Sequence, residues 1–130
     1  MKETVLLYNF RDSERLGQVK RALLPLGLRL KLVKKEEYLH PLGYLAGEKD
    51  MEPASEVYEG EEFEKEMMVM AGLSSSRVDA VILSLRKAGA GRIDYKAVLT
   101  PTNRTWDSVR LYGEISREHA AMSGAKINQK

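Results

Sequence analysis

Three threonine hydroxyls, an asparagine amide and the only tryptophan of the chain fall within one short run, Thr100-Pro101-Thr102-Asn103-Arg104-Thr105-Trp106. Hydroxyls, a side-chain amide and the unpaired amides of a helix start are donors that suit an anion or a polar small molecule. An indole at Trp106 can floor such a pocket by stacking. A purely structural account fits the same residues: Pro101 and Asn103 are turn formers, Thr105 is a helix cap, and a first-turn Trp buries its ring. The other residue of interest is His40, in Tyr38-Leu39-His40-Pro41-Leu42-Gly43. A general base needs a positioned proton donor or carboxylate partner, and none stands at a motif spacing from His40. We therefore assign no catalytic residue and treat His40, Thr100, Thr102, Asn103, Thr105 and Trp106 as one candidate ligand-binding set.

Composition removes several chemistries. The chain has no cysteine and two histidines among its 130 residues, so disulfides, thiolate zinc sites and a cysteine nucleophile are absent, and a transition metal would need carboxylates for most of its ligands. No metal and no cofactor is expected. No glycine-rich turn joins strand to helix at Asn9-Phe10-Arg11-Asp12 or at Gly72-Leu73-Ser74-Ser75, which argues against the usual nucleotide sites. Neither a nucleophile elbow nor a carboxylate pair is readable. The net charge of +2 hides an uneven distribution, because residues 47–66 hold 2 basic and 9 acidic groups. That block lacks the alternating ligands of a calcium loop, and the small overall excess of basic charge argues against nucleic acid as a partner. The strand around Met67 carries no aromatic platform for stacking RNA bases. Glu3 beside a short apolar run, followed by Asn9 and Arg11, fits neither a signal peptide nor a membrane span, so the expectation is a cytoplasmic protein with no membrane partner.

Two strand–helix–strand units must position the candidate set. Thr4 to Phe10 is an apolar run of β-formers and predicts a strand covered on both faces. Asp12 is a cap, and Leu16, Val19, Leu23 and Leu26 form a helical stripe that ends around Pro25 and Gly27. Leu28, Leu30 and Leu32 alternate with charged residues, as on a half-exposed edge strand. The theme repeats with Met67 to Ala71 as a strand, Ser74 or Ser75 as a cap, the stripe Val78, Val81, Ile82 and Leu85, and a last strand over Tyr95 to Thr100. Setting Phe10 against Leu73 places Val19 against Ile82, which suggests an internal duplication. The Met cluster at 67, 68 and 70 reads as core. A final helix from Thr105, with Leu111, Ile115 and Met122 on its apolar side, lies outside both units.

These elements predict one α+β domain over residues 1–130, a ferredoxin-like βαββαβ sandwich with a long insertion between the second and third strands and an extra C-terminal helix. A doubly wound parallel sheet is the rival. Within the insertion, Tyr38, Leu39, Leu42, Tyr44 and Leu45 are apolar enough to dock, whereas 47–66 is expected to be acidic and mobile. Residues 123–130 form a polar, frayed tail. If the second and fourth strands end at one edge of the sheet, the segment around His40 meets the Thr100–Trp106 loop there.

Leu6-Leu7-Tyr8-Asn9-Phe10, Tyr38 to Gly43, the Met-rich strand before Gly72-Leu73-Ser74, and Lys96 to Trp106 with Glu118-His119 downstream together resemble the bacterial family catalogued as domain of unknown function 3783. The sharpest part is Lys96-Ala97-Val98-Leu99-Thr100-Pro101-Thr102-Asn103 followed by Trp106. That family has no assigned activity, so the resemblance implies a location and no chemistry. Taken together, these readings favour a non-enzymatic regulatory or protein-interaction module, partnered by another protein or by a second copy covering the bare sheet face. The alternative is a binder, or an enzyme, for an anion or polar metabolite at the Thr100–Trp106 loop near His40.

Overall fold

Leu6 pairs with Val69 at the centre of the sheet, and both are completely buried. They belong to the first strand, β1 (Thr4–Tyr8), and the third, β3 (Met67–Ala71), which run antiparallel and are buried along their whole length. The computed structural model describes residues 2–128, with side chains described through Met122; the expected frayed tail at 123–130 lies outside those side chains. Strand β2 (Arg29–Val33) joins β1 in parallel and β4 (Tyr95–Val98) joins β3 in parallel, giving the order β2-β1-β3-β4.

The α+β architecture and the central placing of β1 and β3 match the expectation, and the ferredoxin-like order does not. In that arrangement β2 would lie beyond β3, joined to it by a hairpin. Here 33 residues, 34–66, separate β2 from β3, so no hairpin forces the two together, and β2 pairs directly with β1. Each unit thereby keeps its own parallel pair. A second correction follows: β2 and β4 run in opposite directions and end at opposite edges, so their ends cannot bring His40 to the threonine loop.

Helix α1 (Ser13–Leu23) starts at Asp12, whose Oδ1 accepts from the amides of Glu14 at 2.9 Å and Arg15 at 3.3 Å. Leu24–Leu26 continue as a 3₁₀ turn. Helix α2 is the single turn Leu42–Leu45, and α3 (Ser75–Lys87) is capped by the Ser74 hydroxyl, which accepts from the Arg77 amide at 3.3 Å. Helix α4 spans Ser108–Asn128. It begins after the expected Thr105, because Asn103–Thr105 form a 3₁₀ turn and Trp106 is extended. The capping carboxylate is Asp107, whose Oδ1 accepts from the Arg110 amide at 2.8 Å.

The strand period of two divides the core. Val5, Leu7, Met68 and Met70 pack under α1 and α3 with Val19, Leu23, Val81 and Leu85. Leu6, Tyr8, Met67 and Val69 face the other way and are covered by Tyr38, Leu42, Leu45 and Phe63 of the insertion together with Leu111 and Ile115 of α4. Met122, expected on that apolar side, is exposed. The two units are related by an approximate twofold through Leu6 and Val69. Asn9 and Gly72 occupy equivalent positions just past β1 and β3, and both take a left-handed backbone, with φ of 62° and 79°.

The same symmetry appears in a pair of ion clasps. Arg77 holds Glu3 through two 3.0 Å bonds and also reaches the Leu26 carbonyl after α1. Arg15 holds Glu66 at 2.5 Å and reaches the Ala90 carbonyl after α3. Glu3 and Glu66 each precede a central strand, so each arginine ties its helix to the start of a strand and to the end of the other helix. The hydrogen bonds of the Arg77 guanidinium hold the Glu3 carboxyl below the usual carboxylate range.

The 47–66 part of the insertion has neither helix nor strand, yet Phe63 is buried between Tyr38 and Tyr112, with ring centroids at 4.3 and 4.1 Å. The Asn9 amide donates to the Phe63 carbonyl at 2.6 Å. Phe63→Ala is expected to lower unfolding stability by about 3 kcal/mol in urea denaturation and to speed proteolytic cutting within 47–66; unchanged stability would show that the ring is dispensable.

Candidate functional site

The segment carrying His40 and the threonine loop do meet, by a different route from the one expected. After β2 the chain turns back beneath the sheet, through Tyr38 and α2, to the edge where β4 ends. There Leu42 N donates to the Trp106 carbonyl at 2.8 Å, Ser108 N donates to the Tyr38 carbonyl at 3.0 Å, and Pro41 bridges to Asp107. Gly43 makes the approach possible: a Cβ there would collide with the Glu48 carboxylate and press to 3.2 Å from the Arg104 carbonyl.

The polar groups of the loop are turned inward on one another. Asn103 is buried; its Oδ1 accepts from Thr100 N at 2.9 Å, its Nδ2 donates to the Val98 carbonyl at 3.1 Å, and its own amide donates to Thr100 Oγ1 at 3.1 Å. The amides of Arg104 and Trp106 donate to the carbonyls of Thr100 and Asn103. Thr100, Thr102 and Thr105 are exposed. Trp106 is half-buried, and one face of its ring carries the Arg110 guanidinium at 4.2 Å. His40 Nδ1 accepts from the Ala54 amide at 3.0 Å, and its ring lies 5.0 Å from that of Tyr44. Of the six, Thr100 and Asn103 tie the loop to the end of β4, the Trp106 carbonyl joins it to Leu42 of the insertion, His40 bonds within the insertion, and Thr102 and Thr105 face solvent.

Arg104 also ties the loop to the insertion. Its Nε bonds Glu48 Oε1 at 3.0 Å, and its Nη2 bonds both Asp50 oxygens at 2.8 and 2.7 Å. The guanidinium hydrogen bonds hold the Asp50 carboxyl below its ordinary range and raise the arginine. Among the described residues no group of three metal-ligating side chains comes together, and no helix is long and apolar enough to cross a membrane.

Beside β4 lie two concavities. One, of about 420 Å³, runs between residues 58–65 and α4; Tyr58, Phe63, Tyr95 and Tyr112 line it together with Glu61, Glu62, Glu64 and Lys65. Tyr95 and Tyr112 stand 5.1 Å apart, and His119 lies 4.7 Å from Tyr95. Burial raises the Tyr112 phenol, whose oxygen accepts from the Lys65 amide at 3.1 Å. Burial also raises the Tyr38 phenol, which donates to Glu62 Oε2 at 2.7 Å. The other, of about 500 Å³, opens on the opposite face of the sheet between α3 and β4. None of the six candidate residues lines either one. Sequence reading missed both: the aromatics are dispersed over three segments, the insertion, β4 and α4, and only the recurrence of Arg86, Arg92 and Lys96 around Gly89 and Gly91 marks the second.

Fold and site together define a three-layer α+β protein in which the residues resembling a site hold the chain together. Residues 66–122, from the start of β3 into α4, match the family model of a domain of unknown function (DUF3783). The match includes the Lys96–Trp106 stretch on which the resemblance chiefly rests. No curated protein and no solved structure matches the chain.

Asn103→Ala removes an acceptor and a donor from two part-buried backbone bonds of the loop and is expected to cost about 1 kcal/mol of stability in thermal or urea unfolding; a neutral result would free this amide for another role. For Asp50, whose folded pKa is depressed, the ion contact is in place above the ordinary carboxylate range and is lost as pH falls through the folded value. Arg104→Met should return the Asp50 titration, followed by carboxyl carbon NMR, toward its ordinary value. No change would separate the two side chains in solution.

Proposed function

We propose that this chain is a non-catalytic protein-interaction module that receives a basic side chain of a partner protein in the aromatic groove beside α4. The observation that carries this reading is the chemistry of that groove: Tyr58, Phe63, Tyr95 and Tyr112 line it with three glutamates, 61, 62 and 64, against the single cation Lys65. Aromatic faces attract an ammonium or guanidinium, and glutamates in the lining steer such a group toward them. The carboxylates of Glu61 and Glu64 belong to exposed residues and make no ion pair among the described residues.

Several features support a module without chemistry of its own. The His40 imidazole accepts a backbone hydrogen bond, and the Asn103 amide and the Thr100 hydroxyl are engaged inside the loop. A ligand site at His40, Thr100, Thr102, Asn103, Thr105 and Trp106 has less support, since three of its members, His40, Thr100 and Asn103, already use their polar groups within the protein. Association with a second copy also loses its original motive, because α4 and the insertion cover the sheet face that would have needed one.

The test is titration with a short peptide of alternating lysine and glycine, read by ring-proton NMR of the tyrosines. Saturable shifts at Tyr95 and Tyr112 are expected, weakening at least several-fold between about 0.05 and 0.5 M salt. The double variant Glu61→Gln with Glu64→Gln alters exposed groups only, and should weaken binding several-fold without changing thermal stability. Equal binding by that variant, or no ring shift at all, would refute the reading.

A further inference from the structure

On the helix-bearing face of the sheet, the turn after α3 encloses a cavity of about 500 Å³ whose chemistry is opposite to that of the aromatic groove. Its lining residues are Ile82, Leu85 and Arg86 of α3, Gly91, Arg92 and Ile93 of the connecting turn, and Lys96 of β4. Leu85 and Ile93 are buried and Ile82 is half-buried, so the floor is apolar. Three cations stand around it. Lys96 is half-buried, and its Nζ is held by the Ile93 carbonyl at 2.8 Å. Arg92 meets Asp94 at 3.1 Å in an exposed pair, whereas Arg86 and Lys96 make no ion pair among the described residues.

From this arrangement we infer a binding site for a small organic anion, a carboxylate or phosphate head group on a compact apolar body, with Lys96 and Arg86 receiving the head and Ile82, Leu85 and Ile93 the body. The volume lies in the usual range for small-molecule sites, roughly 300–1,000 Å³, and an apolar lining with a few placed polar groups is their common form. An anion here also relieves a local electrostatic cost. Burial lowers the Lys96 ammonium pKa, and the positive charges of Arg92 and Arg86 add to that, with Asp94 only partly offsetting them; a bound negative charge would stabilise the ammonium.

The helix end does not oppose this. Cations at a helix C-terminus commonly serve the dipole alone, but the last carbonyls of α3 already accept hydrogen bonds. Ala88 N donates to Ser84, Gly89 N to Arg86 and Ala90 N to Leu85, at 3.0 to 3.2 Å. Arg86 and Lys96, neither of them ion-paired among the described residues, therefore have capacity left over for a ligand. All the lining residues lie inside the 66–122 segment that matches the family model, whereas the aromatic groove draws much of its wall from the insertion. The two sites can accordingly be tested independently.

The probes are phenyl phosphate, inorganic phosphate and benzyl alcohol, titrated into the full chain and followed by amide and methyl NMR. Phenyl phosphate is expected to saturate below about 10 mM, with shifts centred on Ile82, Ile93 and Lys96. The two partial probes should each bind at least tenfold more weakly. Lys96→Met should weaken phenyl phosphate at least tenfold. Arg86→Gln, at an exposed position, should weaken it about threefold while leaving the fold intact, and carries the test should the lysine variant fail to fold. Added salt should weaken binding as well. No saturation by phenyl phosphate, equal affinity for inorganic phosphate or for benzyl alcohol, or indifference to Arg86→Gln would each overturn the inference.

Discussion

The central antiparallel pair, β1 with β3, is apolar on both faces, and that one fact dictates the rest of the molecule. Ten residues, from Thr4 to Tyr8 and from Met67 to Ala71, have nearly no contact with solvent. Two helices suffice for one face. The other face must be covered by segments outside the strand–helix–strand units, and the chain supplies them in two pieces, the insertion and α4. Neither piece is held by a β-ladder. Beyond the few backbone bonds of Leu42 and Ser108, both are held by rings: Tyr8 and Tyr38 lie 5.6 Å apart, Tyr38 stacks on Phe63, and Phe63 stacks on Tyr112 of α4. Aromatic stacking works here because it joins large apolar area to a preferred geometry, so an irregular segment gains a fixed seat without regular hydrogen bonding.

The helix-bearing face uses a different device. α1 and α3 could each pack against the sheet alone, but Arg15 and Arg77 cross-link each helix to the other unit through a glutamate and a backbone carbonyl. Half-exposed ion pairs of this kind contribute modestly to stability. Their value is in geometry, since a guanidinium bonded to a carboxylate and a carbonyl at once fixes both angle and distance. The paired clasps and the shared left-handed turn at Asn9 and Gly72 follow one twofold axis, as a fused pair of similar units would.

Much of this was legible in the residues because it is written in period and punctuation. Continuous apolarity marked β1 and β3 as central, alternation marked β2 as an edge, and Asp12, Ser74, Gly27 and Gly89 marked helix ends. Even the equivalence of the two units was readable. Strand order was not, because an apolar pattern states that a strand is central without stating which neighbour it takes; the long insertion decided that by removing the hairpin. The seat of Phe63 was hidden for a related reason: a single ring among glutamates carries no periodicity. The candidate site was half legible. The meeting of the His40 segment with the threonine loop was anticipated from strand ends that in fact lie apart, and occurs through Leu42, Pro41 and Trp106 instead. What no spacing could show was that Asn103 and Thr100 spend their hydrogen bonds on each other, since the same residue types serve a turn and a ligand equally well.

The two cavities sit on opposite sides of one strand, and the reason is geometrical. Adjacent residues of a strand point to opposite faces, so Tyr95 and Lys96, neighbours in β4 that pair with Met67 and Met68, look into different compartments. One is aromatic with carboxylates in its lining, the other apolar with cations around it. A slip of one residue in the pairing of β4 would exchange them, placing an ammonium among stacked rings and a phenol among arginines. Register at this edge is guarded by Leu99, whose amide donates to the Met70 carbonyl at 2.8 Å, and by the Asn103 bond to the Val98 carbonyl. The loop that resembled a binding site thus has a structural consequence at a distance: by pinning the end of β4, it keeps Tyr95 and Lys96 on their own sides of the sheet.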